Sequence, residues 1–226
     1  MKVVGCLGKK IRMTQIRKEG ENNKIVPVTA VWVGENVISK VNKKDVEGYD
    51  SFQIAFQNCS AKSLNKPSLG HLRSCLSKDS HSSEDSVECL FHKKFLREIR
   101  GLSEEDLAVG SSLNLKSFAV GKRLKITGVT KGKGFSGVIK KYHFSRGRMS
   151  HGAGYPHRQI GSLCFGRGSG QKVIKGKKMP GQMGNKKVTK LARIERVDVE
   201  REIIFIRGSV PGPQNGLLIL RQVILD

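Results

Sequence analysis

The feature that most constrains this chain is a stretch of 70 residues, 121–190, that contains no aspartate or glutamate. The stretch holds 18 of the 42 Lys and Arg residues and 15 of the 26 glycines. The other 156 residues hold 24 basic and all 19 acidic side chains, so most of the net charge of +23 belongs to this one stretch. A segment so polar and so rich in glycine cannot fold around a core of its own. We therefore expect it to acquire structure against a polyanion that neutralises its charge.

The rest of the sequence is typical of a β protein. β-Branched and aromatic runs separated by Gly, Pro and Asn predict short strands on both sides of the basic stretch. The predicted strands are 3–4, 25–33, 37–41, 51–56, 109–120, 124–129, 192–199, 202–207 and 216–221, with turns at 34–36, 47–50 and 211–216. Several short strands at this spacing indicate a small barrel or sandwich.

These patterns predict a mainly β fold in two parts. Residues 1–120 together with 191–226 are expected to form a β-barrel globular domain, and 121–190 a long, irregular basic extension with its tip at about 144–172. The flanking strands would share one sheet system, so that the extension leaves and re-enters at neighbouring points. A small, poorly defined helix-and-loop element is expected at 59–101, where residues 89–99 are compatible with either a helix or a strand.

Enzymatic and metal-binding interpretations of the basic stretch lack the residues they require. Residues 132–137 match G-x-G-x-x-G, but no carboxylate follows within the stretch to hold a ribose. His143, His151, His157 and Cys164 are spaced unlike any compact zinc pattern, and the arginines among them oppose a cation. A catalytic histidine would need an orienting group from outside the stretch. We therefore expect no enzymatic activity, no metal and no cofactor.

The composition of the stretch favours RNA as the polyanion. Basic groups neutralise phosphates, flat rings stack on unpaired bases, and glycine lets the backbone approach a crowded surface. Phe135, Tyr142, Phe144, Tyr155 and Phe165 are interleaved with the basic residues. The predicted RNA-contacting side chains are Lys131, Lys133, Lys140, Lys141, His143, Arg146, Arg148, His151, His157, Arg158, Arg167, Lys172, Lys175, Lys177, Lys178, Lys186 and Lys187.

Three alternatives share parts of this pattern. A solvated lysine-rich tail would carry the charge, but such tails rarely hold apolar and aromatic residues at regular intervals. A DNA-compacting protein usually presents a recognisable helix or ribbon and dimer symmetry. A small RNA-modifying enzyme would need a cofactor pocket and a catalytic constellation.

The cysteines and the hydropathy bear on the compartment. Five scattered cysteines, Cys6, Cys59, Cys75, Cys89 and Cys164, form no Cys-x-x-Cys pair, which suits a reducing environment. The chain has no apolar run long enough for a signal peptide or a membrane-spanning helix. The sequence therefore predicts neither a disulfide framework nor a membrane partner.

The opening segment, residues 4–16 with the sequence VGCLGKKIRMTQI, closely resembles the start of ribosomal protein L3 of the large subunit (uL3) in its bacterial form. Further segments resemble the family in the same order, at 27–31, 48–53, 66–71, 128–137, 150–152, 175–184 and 208–212. Arg12, Lys125 and Lys141 stand where the family usually has glycine, Asp or Asn, and arginine. Residues 164–170 replace the usual sequence of the tip.

The resemblance implies a structural constituent of the large ribosomal subunit that binds 23S-type rRNA and aids early assembly, with no catalytic role and no small-molecule substrate. It implies that residues 144–172 penetrate the rRNA toward the peptidyl transferase centre, supported by limbs at 128–142 and 175–187. Ribosomal proteins L14 and L19 would be neighbours, in a bacterial cytoplasm or an organelle. It also adds RNA-contacting residues outside the basic pattern, namely Lys9, Lys10, Arg12, Gln182 and Asn185.

Overall fold

A computed structural model describes residues 3–17, 24–77, 92–100, 108–113, 115, 118–163 and 173–223. Its strands are β1 (Val3–Arg17), β2 (Ile25–Trp32), β3 (Val37–Asn42), β4 (Ser51–Asn58), β5 (Lys93–Arg100), β6 (Arg123–Val129), β7 (Phe135–Ser136), β8 (Gly181–Gln182), β9 (Lys187–Asp198), β10 (Ile203–Arg207) and β11 (Leu217–Val223). Its α-helices are α1 (Lys44–Glu47), α2 (Lys66–Ser77) and α3 (Val138–Tyr142), and short 3-10 helices span Ala61–Ser63 and Pro156–Arg158.

Six strands close into a barrel in the order β1-β11-β6-β9-β10-β2, and all neighbouring pairs are antiparallel. β1 serves two neighbours, because its first half pairs with β11 and its second half with β2. A bulge between Lys10 and Arg12 marks a register shift in the second pairing, where a bulge bends a strand. The prediction of a mainly β fold is confirmed.

The barrel interior is filled by alternate residues of its strands. Cys6 of β1, Leu124 and Ile126 of β6 and Leu218 and Leu220 of β11 are buried there, together with Val31, Ile194, Ile204 and Ile206. Burial of each such aliphatic side chain contributes about 1.5–3 kcal/mol relative to exposure. Burial also raises the pKa of the Cys6 thiol, which keeps it protonated and unreactive.

A second core lies between one wall of the barrel and a three-stranded sheet, β3-β4-β5. The side chains of Leu7 and Ile219 project from the outer side of the barrel. They pack with residues from all three strands of the second sheet, namely Ile38, Phe52, Ile54, Phe56 and Ile99. The rings of Trp32 and Phe56 meet at a centroid distance of 5.3 Å. The two sheets therefore share a common core and form one body.

The buried amide of Asn36 joins the two sheets between β2 and β3. Its Oδ1 accepts from the Leu7 N–H at 3.0 Å, and its Nδ2 donates to the carbonyls of Leu7 at 2.9 Å and of Val33 at 2.6 Å. Because these backbone groups are enclosed, the amide replaces the water that would otherwise satisfy them. The turn predicted at 34–36 thus contains a structural side chain that the sequence pattern did not reveal.

Three parts of the chain settle or correct the sequence-based expectation. Residues 89–99, in the predicted helix-and-loop element, were compatible with a helix or a strand, and residues 93–100 form strand β5, because their partners lie on the distant β4. The strand predicted at 109–120 is wrong for the described residues, which show a turn and a single bridge between Val37 and Ser112. The described β1 extends through Arg17, far beyond the two residues predicted.

The chain divides into two compact units, Met1–Val129 with Lys187–Asp226, and Thr130–Lys186. We call the first the body and the second the insertion. The limits of the insertion fall inside the stretch 121–190, because Arg123–Val129 and Lys187–Lys190 belong to barrel strands β6 and β9. Val129 and Lys187 are opposite each other in that ladder, so the chain leaves and re-enters the body at neighbouring points.

Candidate nucleic-acid interface

The two limbs of the insertion pair with each other. The Thr130 N–H donates to the Lys186 carbonyl at 2.9 Å, and the Lys186 N–H donates to Thr130 Oγ1 at 3.2 Å. Farther along, β7 and β8 pair through Phe135 opposite Gln182 and Ser136 opposite Gly181. Residues more than 40 positions apart in the sequence are thereby held side by side, and the basic side chains of both limbs share one short ribbon.

Glycine at position 184 is required for this pairing. Its φ is +76°, and a Cβ there would lie 2.0 Å from the carbonyl oxygen of Lys131 on the opposite limb. Side chains are disfavoured at this φ, and a backbone oxygen cannot move aside as a flexible side chain can. The pairing of the limbs therefore requires glycine at position 184, independently of any contact with RNA.

The insertion lacks a hydrophobic core among its described residues, where Val138 is the one buried hydrophobic side chain. Large apolar side chains instead face solvent, with Phe135 78%, Met149 69% and Tyr155 97% exposed. The sequence of Thr130–Lys186 contains 13 Lys and Arg residues and no carboxylate. Exposed rings among unneutralised cations are typical of surfaces that stack on bases and contact phosphates.

The clearest convergence of predicted residues is around Tyr142, at the end of α3. The Nζ of Lys141 lies 5.2 Å from the ring centroid of Tyr142, and the Nζ of Lys178, from the other limb, lies 5.8 Å from it. The Phe144 ring is 6.3 Å from that of Tyr142. A Cβ at Gly181 would lie 3.3 Å from the Lys141 ammonium, so glycine leaves room for this lysine. We call Lys141, Tyr142, Phe144 and Lys178 the Tyr142 cluster.

The Tyr142 cluster combines two positive charges and two aromatic rings. Each ammonium gains from the ring quadrupole, but the two ammonium groups repel each other. No carboxylate is available in the insertion sequence to offset that repulsion. An anion with a flat appendage, such as a nucleotide, satisfies the charges and the rings together. Sequence reasoning selected both lysines but gave no sign that they meet, since they are 37 positions apart.

Two of the predicted histidines help to fix the backbone conformation of the insertion. His143 follows α3 in the left-handed conformation, at φ +60°, and its N–H donates to the Ile139 carbonyl at 2.9 Å. His157 Nδ1 lies 2.7 Å from the Arg148 carbonyl oxygen, and the Gly147 N–H donates to the His157 carbonyl at 3.1 Å. Because a carbonyl only accepts, Nδ1 of His157 carries the hydrogen. These bonds fold the loop that presents Arg146 and Arg148.

The other predicted residues of the insertion are solvent-facing where the structure describes them. The exposed ones are Lys131, Lys133, Lys140, His143, Arg146, Arg148, His151, Arg158, Lys175, Lys177, Lys178, Gln182, Asn185 and Lys186, whereas Lys141 and His157 are half-buried. Arg167 and Lys172, with Cys164 and Phe165, lie outside the described residues. The insertion therefore presents a broad cationic surface with the Tyr142 cluster as its most organised part.

The four predicted residues of the body differ in their surroundings. Arg12 and Lys187 are exposed, and Lys9 is half-buried on β1. Lys10 points inward, and its ammonium donates to the carbonyls of Val210 at 2.9 Å and Gly212 at 3.0 Å. Lys10 therefore holds the loop between β10 and β11 in place.

The described residues were also compared with the requirements of a metal site and of a membrane-spanning helix. Within them, no group of three His, Cys, Asp or Glu side chains is close enough to hold a metal ion. None of the described helices is long and apolar enough to cross a bilayer.

A β body with a carboxylate-free insertion that buries one hydrophobic side chain among its described residues is typical of basic ribosomal proteins, and comparison with known proteins agrees. A sequence model of the family described as Ribosomal protein L3 matches residues 33–198. The large ribosomal subunit protein uL3 of Geobacillus sp. (strain WCH70) is 38% identical over 221 residues, which cover 97% of this chain and 96% of the relative. The uL3 of Heliobacterium modesticaldum is 41% identical over 223 residues and covers 97% of both chains.

A third relative, uL3c of Phaeodactylum tricornutum, is 42% identical over 217 residues, which cover 96% of this chain and 97% of the relative. The chain belongs to the ribosomal protein L3 family. Members of that family are structural proteins of the large ribosomal subunit and are not known as enzymes, which confirms the resemblance and the non-enzymatic role predicted from the sequence. The relatives come from bacteria and a plastid, as expected for a bacterial or organellar ribosome.

Proposed function

We propose that this protein is a structural constituent of the large ribosomal subunit that binds large-subunit rRNA through its insertion. The observation that carries the proposal is a compact unit, Thr130–Lys186, with no carboxylate in its sequence and one buried hydrophobic side chain among its described residues. Such a unit repels itself in isolation and gains most from a partner that supplies many phosphates.

The Tyr142 cluster is the proposed centre of this contact. Lys141 and Lys178 neutralise phosphate, while Tyr142 and Phe144 offer ring faces to unpaired bases. Exposed Phe135 and Tyr155 extend the set of rings along the insertion. The exposed lysines and arginines around them bind the RNA backbone without selecting sequence.

Family membership supports three finer roles that belong to this proposal. The tip, about residues 144–172, reaches toward the peptidyl transferase centre, and the body lies at the outside of the subunit beside ribosomal proteins L14 and L19. Binding occurs early in assembly, because an insertion with so little burial among its described residues has to be enclosed while the RNA still folds around it.

The proposal is tested by titrating the full-length protein with large-subunit rRNA transcribed in vitro at several salt concentrations. If about ten basic side chains contact phosphates, log affinity falls with log salt at a slope of roughly −7 to −9. The double variant Lys141→Gln/Lys178→Gln should make the slope shallower by about 0.7–0.9 for each lysine removed. Tyr142→Leu should weaken binding by about 1–3 kcal/mol, the usual contribution of base stacking, with the slope unchanged.

The matched control is Lys43→Gln/Lys44→Gln, which removes the same charge from two exposed lysines of the body. If the two double variants change the slope equally, the cations act through net charge alone and the Tyr142 cluster is not the contact. If the unaltered protein binds rRNA with no salt dependence, the proposed function fails.

A further inference from the structure

The outer face of the barrel formed by β11, β6 and β9 carries an arrangement of charge that folding alone does not favour. Along β6, Leu124 and Ile126 point into the barrel core, whereas Arg123 and Lys125 are exposed on the opposite face. Because side chains alternate along a strand, the partners opposite Arg123 and Lys125 share this outer face.

Two of those three partners are also basic, and the third is Leu191 of β9, opposite Lys125. Arg123 lies opposite Arg193 of β9, and Lys125 lies opposite Arg221 of β11. Directly opposed side chains have Cβ atoms about 4.5–5.5 Å apart, and like charges in such pairs destabilise a sheet. Two adjacent rows of the same wall therefore place cation beside cation.

The neighbouring residues do little to offset this repulsion. Within the described part of the chain, Arg123 and Arg193 make no ion pair, and the Nε of Arg221 is buried without a hydrogen-bond partner. Glu195 lies near this wall, but its Oε1 is 3.8 Å from Nη1 of Arg207. That carboxylate therefore already faces a cation of its own.

The wall also has the shape of a binding site. Arg123, Arg193, Lys190 and Arg207 line an open groove of about 400 Å³ whose remaining lining is Leu191 and Ala192. Lys190 donates from Nζ to the Ser209 carbonyl at 2.7 Å, which fixes its position at the groove. Leu191 is 62% exposed and gives the groove an apolar surface between the charges.

We propose that this groove is a second phosphate-binding site, in which Arg123 and Arg193 grip the backbone of an RNA strand against the barrel wall. This inference rests on the proposed rRNA-binding function but concerns a surface of the body, and none of its residues was selected from the sequence. Guanidinium groups match phosphate oxygens bidentately and remain charged at every relevant pH. The groove also holds Lys190 and Arg207, and several cations along one groove suit a ligand that carries charges at regular intervals, as an RNA backbone does.

The test uses the full-length double variant Arg123→Gln/Arg193→Gln, titrated with large-subunit rRNA transcribed in vitro over a range of salt concentrations. We expect the slope of log affinity against log salt to become shallower by about 0.7–0.9 for each arginine removed. The control is Arg196→Gln/Arg201→Gln, which removes two exposed arginines from the hairpin of β9 and β10, outside the groove, and should leave the slope nearer to that of the unaltered protein.

Thermal unfolding of the free proteins supplies a second readout. Removing an opposed pair of cations should leave the melting temperature of the groove variant unchanged or raise it, while its RNA binding weakens. A lower melting temperature would mean that the arginines stabilise the sheet, which contradicts the premise that folding alone does not favour them and overturns the inference.

The outcomes separate this inference from the proposed function. If the unaltered protein shows salt-dependent rRNA binding and the groove variant behaves like its control, the groove inference is wrong and the proposed function stands. If the groove variant binds rRNA normally but fails to enter large subunits reconstituted with the other ribosomal proteins, the groove binds a protein and the inference is again wrong. If the unaltered protein does not bind rRNA, both proposals fail.

Discussion

The body and the insertion differ in how many hydrophobic side chains they bury and in whether their charged groups find partners within the protein. Of the 27 buried hydrophobic side chains in the described residues, 26 lie in the body, and Val138 is the one in the insertion. In the body, charged groups are often satisfied within the protein, as in the Lys40–Glu47 ion pair at 2.8 Å or the Ser51 hydrogen bond that lowers the pKa of Glu98. The insertion has no carboxylate to serve in this way.

This difference shows where each unit obtains its folding free energy. The body balances its conformational entropy with its own apolar burial, so its structure is encoded within the chain. The described residues of the insertion have backbone hydrogen bonds and glycine turns but little burial, so most of their stabilisation must come from a partner. Around Arg123 and Arg193 the body resembles the insertion, because cations there lie beside other cations.

The largest expected effect is on the stability of the body. Ile126→Ala removes a fully buried side chain from the barrel core and should lower the free energy of unfolding by about 2–5 kcal/mol. Ile174→Ala truncates a half-exposed isoleucine of the insertion and should change it by less than about 0.5 kcal/mol. Chemical denaturation followed by circular dichroism measures both values. Equal losses would mean that the insertion contributes a core of its own.

An intermediate effect is expected at Lys10, a basic residue of the body used internally. Lys10→Gln weakens its bonds to the carbonyls of Val210 and Gly212 and should destabilise the body by about 1–3 kcal/mol. The salt dependence of rRNA binding should stay unchanged, because this ammonium is already bonded to two backbone carbonyls of the body. Arg12→Gln, an exposed neighbour on the same strand, is the control and should leave stability within about 0.5 kcal/mol. A shallower slope for Lys10→Gln would show that it contacts phosphate.

The smallest effect on global stability is expected at Gly184. Gly184→Ala places a Cβ against the Lys131 carbonyl and should separate the limbs, while the melting temperature of the body stays the same. Hydrogen exchange should report the change as faster exchange of the Lys133 and Met183 amides, which bond across the limbs. Gly176→Ala is a close control, since its φ of +78° is nearly the same but its Cβ would meet nothing within 4 Å. If both variants exchange alike, backbone strain and not the close approach of the limbs is responsible.

Much of the fold follows from local sequence patterns. Runs of β-branched residues predicted the positions of β2, β3, β4, β6, β10 and β11, and the absence of carboxylates from 121–190 indicated the insertion. These signals are local, because the alternation of apolar residues and the sign of the charge depend only on neighbouring positions in the sequence. The sequence left strand β5 open between helix and strand, because KKFLREIR fits either periodicity and only pairing with β4 decides it.

The sequence predicted which residue types make up the candidate interface but not how they are arranged in space. Lys141 and Lys178 were selected because they are basic, yet nothing in the sequence relates them to a common tyrosine. Lys10 was selected through the family resemblance, and the structure shows its ammonium bonded to a loop more than 190 positions away along the chain. Arg123 and Arg193 were passed over, because opposition across a ladder depends on register.

The amino-acid sequence by itself determined the family, the mainly β class and the presence of a segment that requires a polyanion, since each depends on which residues are present and in what order. The tertiary structure alone decided which cations remain available to that polyanion. The reason is that a charge acts on whatever lies within a few ångströms, and strand register and loop closure set those neighbours. Two lysines with the same chemistry, Lys10 and Lys178, therefore have different roles, one bonded to backbone carbonyls and the other exposed beside an aromatic ring.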